Sequence, residues 1–90
     1  MAHHLKIRYS EEFRSIVCEI TSGRVVRHLK KLIAELQAFP GMGSTYPRKV
    51  LKERYGNDIR TVPVEGYLLV YRYDEEALWL ITLVWGGLVK

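Results

Sequence analysis

Arg48, Lys49, Lys52 and Arg54 crowd one short stretch of this chain, and Arg60 and Arg72 follow on segments that read as strands. Guanidinium and ammonium groups gathered in one cleft attract phosphate or a carboxylate-rich partner. All six cations are therefore candidate target-binding groups. The residues alone leave two readings open: one shared cleft, or separate solvated side chains. The cleft requires Arg60 and Arg72 to point from a concave sheet face toward the short basic segment.

Other side chains offer less. His28 lies among basic residues with no acidic neighbour in sequence to tune it, so a solvated side chain is expected. Cys18, the sole cysteine, sits beside an apolar stripe and reads as packing. Glu75 and Glu76 fall in a turn, where polar residues serve solvation rather than acid–base work. His3 and His4 lack a third ligand, so no metal site is expected, and residues 1–4 read as a frayed or tag-derived leader. The aromatic residues Tyr46, Tyr55, Tyr67, Tyr71, Tyr73, Trp79 and Trp85 read mainly as half-buried sheet residues, because the motif of an RNA-recognition sheet is missing. Gly41–Gly43 has no preceding strand and is a loop rather than a dinucleotide fingerprint. No cofactor is implied.

The elements that must position these groups follow from periodicity. Leu5, Ile7 and Tyr9 alternate with Lys6 and Arg8, the pattern of a half-buried strand. Ser10 stands as an N-cap before Glu11 and Glu12, and Phe13, Ile16, Val17 and Ile20 form one helical face. A second helix carries Val25, Val26, Leu29, Leu32, Ile33, Leu36 and Phe39 as its stripe and stops at Pro40-Gly41. After a loop, Pro47 opens a short helix ending near Gly56. Ile59–Val64 is a strand that Pro63 confines to an edge, an end or a bulge. Glu65-Gly66 turns it into Tyr67–Tyr73, and Asp74–Glu76 turns that into Ala77–Trp85. ALWLITLVW is apolar on both faces, as a central, covered strand must be. The expected fold is α+β: an N-terminal strand, then an αα-hairpin packed on a mostly antiparallel four-stranded sheet, βααβββ with a possible extra short helix.

Ninety residues, 48 % hydrophobic and 27 % charged, make one domain spanning 1–90. A net charge of +4 favours an anionic partner. No apolar run reaches the ~18 residues of a membrane span. A single cysteine and no signal-type leader lead to the expectation of a cytoplasmic protein without membrane contacts.

The order of these pieces resembles the RelE/ParE superfamily, the toxins of bacterial type II toxin–antitoxin systems. The residues that carry the likeness are Leu36–Gly43 (LQAFPGMG), Ile59-Arg60, Gly66-Tyr67, Val70-Tyr71-Arg72-Tyr73 and Leu83-Val84-Trp85-Gly86. The resemblance implies a growth-inhibiting toxin, of the kind tied to plasmid stabilisation. Its partner would be a cognate antitoxin that lays a helix or extended segment over hydrophobic and basic surfaces. It also implies one of two targets: DNA gyrase in ParE-like members, or messenger RNA on the ribosome in RelE-like members. The RelE-like branch is a metal-independent endoribonuclease whose Lys and Arg side chains activate a ribose hydroxyl and stabilise the charged phosphorane. The resemblance therefore makes Arg60, Arg72 and Lys52 the candidate catalytic groups. That branch often reads Tyr-Arg where this chain has Tyr67-Leu68, and it often carries His or a basic pair where this chain has Trp85-Gly86-Gly87. The expectation is thus a ParE-like toxin that acts by binding. A RelE-like nuclease and a non-toxic interaction domain are the alternatives.

Overall fold

The computed structural model describes residues 5–85. Strand β1 (Lys6–Tyr9) leads into α1 (Glu11–Glu19) and α2 (Gly23–Ala38). A 3-10 turn at Pro40–Met42 and helix α3 (Lys49–Tyr55) follow, then β2 (Arg60–Val64), β3 (Tyr67–Tyr73) and β4 (Ala77–Trp85). The four strands form one sheet in the order β1-β4-β3-β2. β1 runs parallel to β4, while the β4-β3 and β3-β2 pairs are antiparallel. This is the α+β arrangement expected from the sequence, with the extra short helix present as α3.

Ser10 explains how β1 passes into α1. Its hydroxyl accepts the Phe13 amide at 2.9 Å, capping the helix, and donates to the Ile81 carbonyl at 2.5 Å. Ile81 is the extra residue of a bulge: Tyr71 pairs with Leu80 while Val70 pairs with Thr82. One side chain thus serves both an orphan helix donor and a displaced strand acceptor.

The apolar stripes of α1 and α2 cover one sheet face. Phe13, Leu29, Leu32 and Leu36 pack there on Val62, Val64, Leu69, Tyr71, Leu78, Leu80 and Leu83. Each fully buried aliphatic side chain stabilises this layer by about 1.5–3 kcal/mol. Helix α3 covers part of the other face through Leu51 against Ile59 and Val70, with Tyr55, Ile81 and Val84 around them. The middle of β4, from Leu80 to Leu83, is therefore covered on both faces, which is why its sequence there lacks alternation. Pro63 lies on β2 at the sheet edge, exposed, where its missing amide costs no ladder bond. Glu65 and Gly66 both take positive φ, 48° and 86°, in the two-residue hairpin turn.

Three local expectations need correction. Phe39 leaves the α2 stripe: it is the C-cap, with φ −133° and ψ 68°, and is 71 % exposed. Cys18 is exposed on α1 rather than packed. Pro47 does not open α3, because Arg48 is its cap and Lys49 its first residue. His3, His4 and Gly86-Gly87 lie outside the described residues.

Candidate functional site

The cations singled out from sequence divide between two sheet faces. Arg60 pairs with Tyr71 across β2 and β3, so it shares Tyr71's face, whereas the adjacent Arg72 points to the opposite one. Arg60 is bound up in structure: its Nη1 donates to the carbonyls of Gly41 and Gly43, both at 3.2 Å, and its guanidinium lies 5.5 Å from the Tyr73 ring centroid. The shared patch of Arg60, Arg72 and the Arg48–Arg54 segment is not formed. A three-cation centre of Arg60, Arg72 and Lys52 is not assembled either.

The register assembles something smaller. Arg54 at the end of α3 and Arg72 on β3 line one hollow of about 360 Å³ with Tyr9, Ser10, Tyr55, Trp79, Leu80 and Ile81. Arg54 lies 3.8 Å from Glu12 and stacks 5.4 Å from the Tyr55 ring centroid, while Arg72 reaches Asp58 at 4.0 Å. These are loose, solvent-exposed pairs, each worth about 0–1 kcal/mol, so both guanidiniums keep donors for a ligand. Arg48 and Lys49 are exposed at the start of α3 and Lys52 is half-buried on it. These three stand outside the lining of the hollow.

The floor of the hollow is tied across the fold. The Tyr55 hydroxyl donates to Glu12 Oε2 at 2.5 Å. The Thr82 hydroxyl is buried and faces the same carboxylate without closing a well-aligned hydrogen bond, so Tyr55 is the firm partner. Together the Thr82 and Tyr55 hydroxyls, with the Arg54 charge, hold the Glu12 carboxyl below its ordinary value of 4.5. Burial, and then the Glu12 hydrogen bond, push the Tyr55 hydroxyl above its ordinary value of 10.0. Because Glu12 is depressed in the folded state, its contribution to stability is fully present above its unfolded value. That contribution is lost as pH falls through the lower folded one. Thermal melts from neutral pH into acid should therefore show wild type losing stability below about pH 4.5. Glu12→Gln, which keeps an acceptor for Tyr55, should fall less steeply over the same range, and equal slopes would remove this role for Glu12.

A second surface lies on the helix-hairpin face at the sheet edge. Ile7, Tyr9, Phe13, Val17, Leu29 and Ile33 line an apolar groove of about 350 Å³ between β1 and the two helices, with Lys30 and Gln37 beside them. Ile7 and Tyr9 are 40 % and 57 % exposed on the outermost strand. Both are large apolar groups beside the unpaired backbone edge of β1, an arrangement that invites a partner.

Other sequence-noted residues resolve as follows. His28 does have an acidic partner, from far along the chain: its Nδ1 lies 3.0 Å from Glu65 Oε1, which also meets Arg24 Nε at 2.6 Å. Glu75 and Glu76 are exposed in their turn, and Asp74 organises it by accepting the Glu76 and Ala77 amides at 2.8 Å each. Arg8, Tyr9 and Trp79 are additions that the sequence reading missed as site residues. The signal was the alternation of β1, which sends Arg8 to the side away from Ile7 and Tyr9. Among the described residues, no group of three His, Cys, Asp or Glu is placed to hold a metal ion. No described helix is long and apolar enough to cross a membrane.

A helix hairpin on one sheet face, a basic and aromatic hollow on the other, and an apolar groove at the edge make up a small α+β domain. Residues 7–87 match the family model described as the ParE toxin of the type II toxin–antitoxin system, parDE, and the chain belongs to that family. It is thus a toxin of the type II toxin–antitoxin class, and the family implies a cognate antitoxin as its partner. No individually curated protein gives a significant match.

Proposed function

We propose that this chain is a ParE-like toxin that stops growth by binding a component of the replication machinery, with DNA gyrase as the target, and that its antitoxin neutralises it in the cytoplasm. The observation that carries the binding reading is the division of the cations. Arg54 and Arg72 share an open hollow with aromatic side chains, while Arg60 is tied to loop carbonyls on the far face. A guanidinium pair with loose partners suits an acidic surface on a target protein. Arg48, Lys49 and Lys52 extend the positive charge along α3 and act as rim groups. A metal-independent nuclease needs its cations converging on one phosphate, and the division of Arg60 from Arg72 works against that. The antitoxin seats its apolar side chains in the groove of Ile7, Phe13, Val17 and Ile33, beside the β1 edge.

Tightly regulated expression in bacteria is expected to arrest growth, and coexpression of the neighbouring small gene to relieve it. Purified toxin should inhibit gyrase supercoiling, with Arg54→Gln/Arg72→Gln weaker by about tenfold or more, as for loss of charged hot-spot contacts. Primer extension on translating ribosomes should show intact message. Normal growth at a high level of folded protein overturns the toxin reading and leaves an interaction domain, while codon-specific cuts replace it with the nuclease.

A further inference from the structure

The sheet face that carries α3 is bare at one end, and there the register sets three side chains in a row. Arg8 on β1 pairs with Trp79 on β4, and Trp79 pairs with Arg72 on β3. Residues aligned across neighbouring strands share a face, so an indole stands between two guanidiniums, each about 5 Å away along the sheet at the backbone. Arg8 Cζ lies 5.7 Å from the Trp79 ring centroid. Trp79 is 37 % exposed, although its strand is one of the two inner strands of the sheet. It forms the wall between the Arg54–Arg72 hollow and a second hollow of about 510 Å³ that holds Lys6, Arg8 and the Asp74–Glu76 turn.

A large π surface left partly open and flanked by bidentate donors is a platform for a nucleobase with phosphates on either side. We infer that the Arg8–Trp79–Arg72 row binds single-stranded nucleic acid, with a base stacked on Trp79 and the neighbouring phosphates held by Arg8 and by Arg72 with Arg54. The acidic target surface proposed above needs only Arg54 and Arg72; the open indole and Arg8 on its other side add what a base and a further phosphate require. Duplex is excluded because its bases are stacked inside and present no face to Trp79. The acidic turn flanks the row on one side: Asp74, Glu75 and Glu76 join β3 to β4 and line the second hollow with Lys6 and Arg8, so they repel phosphate from that side of the row. The strand therefore follows the line of Arg8, Trp79, Arg72 and Arg54 on the side away from the turn. The inference does not depend on gyrase being the target, since it concerns a direct contact that purified toxin makes alone.

The probe is a fluorescent single strand of about eight uridines, within the span that one small domain covers. The competitors are uridine monophosphate, a DNA duplex and an oligoglutamate of matched charge. Anisotropy with the full chain should show saturable binding whose logarithm falls with log salt at a slope near −1.4, about −0.7 for each of the two phosphates flanking the base. Arg8→Gln and Arg72→Gln should each reduce the slope by about 0.7 and weaken binding several-fold. Trp79→Leu should weaken it about tenfold or more without changing the slope. In Trp85→Phe, where Trp79 is the sole tryptophan, the strand should quench the indole emission; wild-type anisotropy carries the test if that variant folds poorly. Thermal melts of each variant separate lost binding from lost fold. Equal binding by Trp79→Leu, displacement by oligoglutamate as effective as by the unlabelled strand, or uridine monophosphate binding as tightly as the strand would each overturn the proposal. Gyrase inhibition that survives loss of strand binding leaves the function proposed above intact, and the converse leaves this inference intact.

Discussion

Gly43→Ala is expected to melt about 10–40 °C below wild type, a large loss for a single added carbon. A Cβ there would stand 2.4 Å from the Tyr71 hydroxyl oxygen and 2.8 Å from Cε1 of the same ring. The ring cannot retreat, because Tyr71 is fully buried between the helix hairpin and the sheet. The loop is equally held: the Gly43 amide donates to the Tyr71 hydroxyl at 2.9 Å, and that hydroxyl donates to the Pro40 carbonyl at 2.6 Å. Glycine is needed here for this close approach rather than for its dihedral angles, since φ is an ordinary −75°. Forcing the carbon in costs about 1–3 kcal/mol of overpacking. Breaking the buried hydrogen bonds adds about 1–3 kcal/mol. For a domain of this size each kcal/mol moves the midpoint by about 4–8 °C. Tyr71→Phe should cost less, about 1–3 kcal/mol, because it strands the two backbone groups without a clash. The double variant should melt above the sum of the single losses, since the two sites share one contact. A Gly43→Ala protein melting within a few degrees of wild type would mean that the loop is free to back away. The same knot fixes the path of the loop that Arg60 clasps through the Gly41 and Gly43 carbonyls.

Ile7→Asp should leave the fold nearly untouched and cost antitoxin affinity roughly 30-fold to several hundred-fold, the range of a hot spot worth about 2–4 kcal/mol. Ile7 faces the apolar groove from the outermost strand, so a carboxylate there is solvated in the free toxin and desolvated in the complex. The neighbouring Arg8 supplies the control, because the pleat sends it to the other face, over Trp79. Arg8→Gln should change antitoxin affinity far less. Titration calorimetry with the purified antitoxin reads both, and melts of the free toxin should agree with wild type within a few degrees. Equal losses from the two variants, or none from Ile7→Asp, would move the antitoxin away from this groove.

The polar half of the site was partly within reach of the sequence, and one misreading shows how. Glu65-Gly66 reads as a two-residue turn from sequence, and such a turn fixes register: Val64 faces Tyr67, and counting outward brings Arg60 opposite Tyr71. Arg72 must then point the other way. The division of Arg60 from Arg72 was therefore legible, and charge clustering along the chain concealed it. No comparable local signal exists for the Glu12–Tyr55 bond, the His28–Glu65 contact or the meeting of Arg8 with Trp79. Their partners lie far apart in the chain and meet only through packing.

What the sequence determined by itself is whatever depends on neighbours a few residues away. The strand alternation of Leu5–Tyr9, the Ser10 cap, the helical stripes, the hairpin turn and the unbroken apolar run of β4 all follow from local sterics, hydrogen-bond supply and periodicity. The order of those pieces also pointed to the toxin superfamily. The tertiary structure decided which side chains share a surface. Parallel pairing of β1 with β4 sets Arg8 beside Trp79, and the Ile81 bulge resets which face each β4 residue presents. In a strand, a shift of one residue exchanges the two faces, so a long-range pairing carries information that local propensity does not.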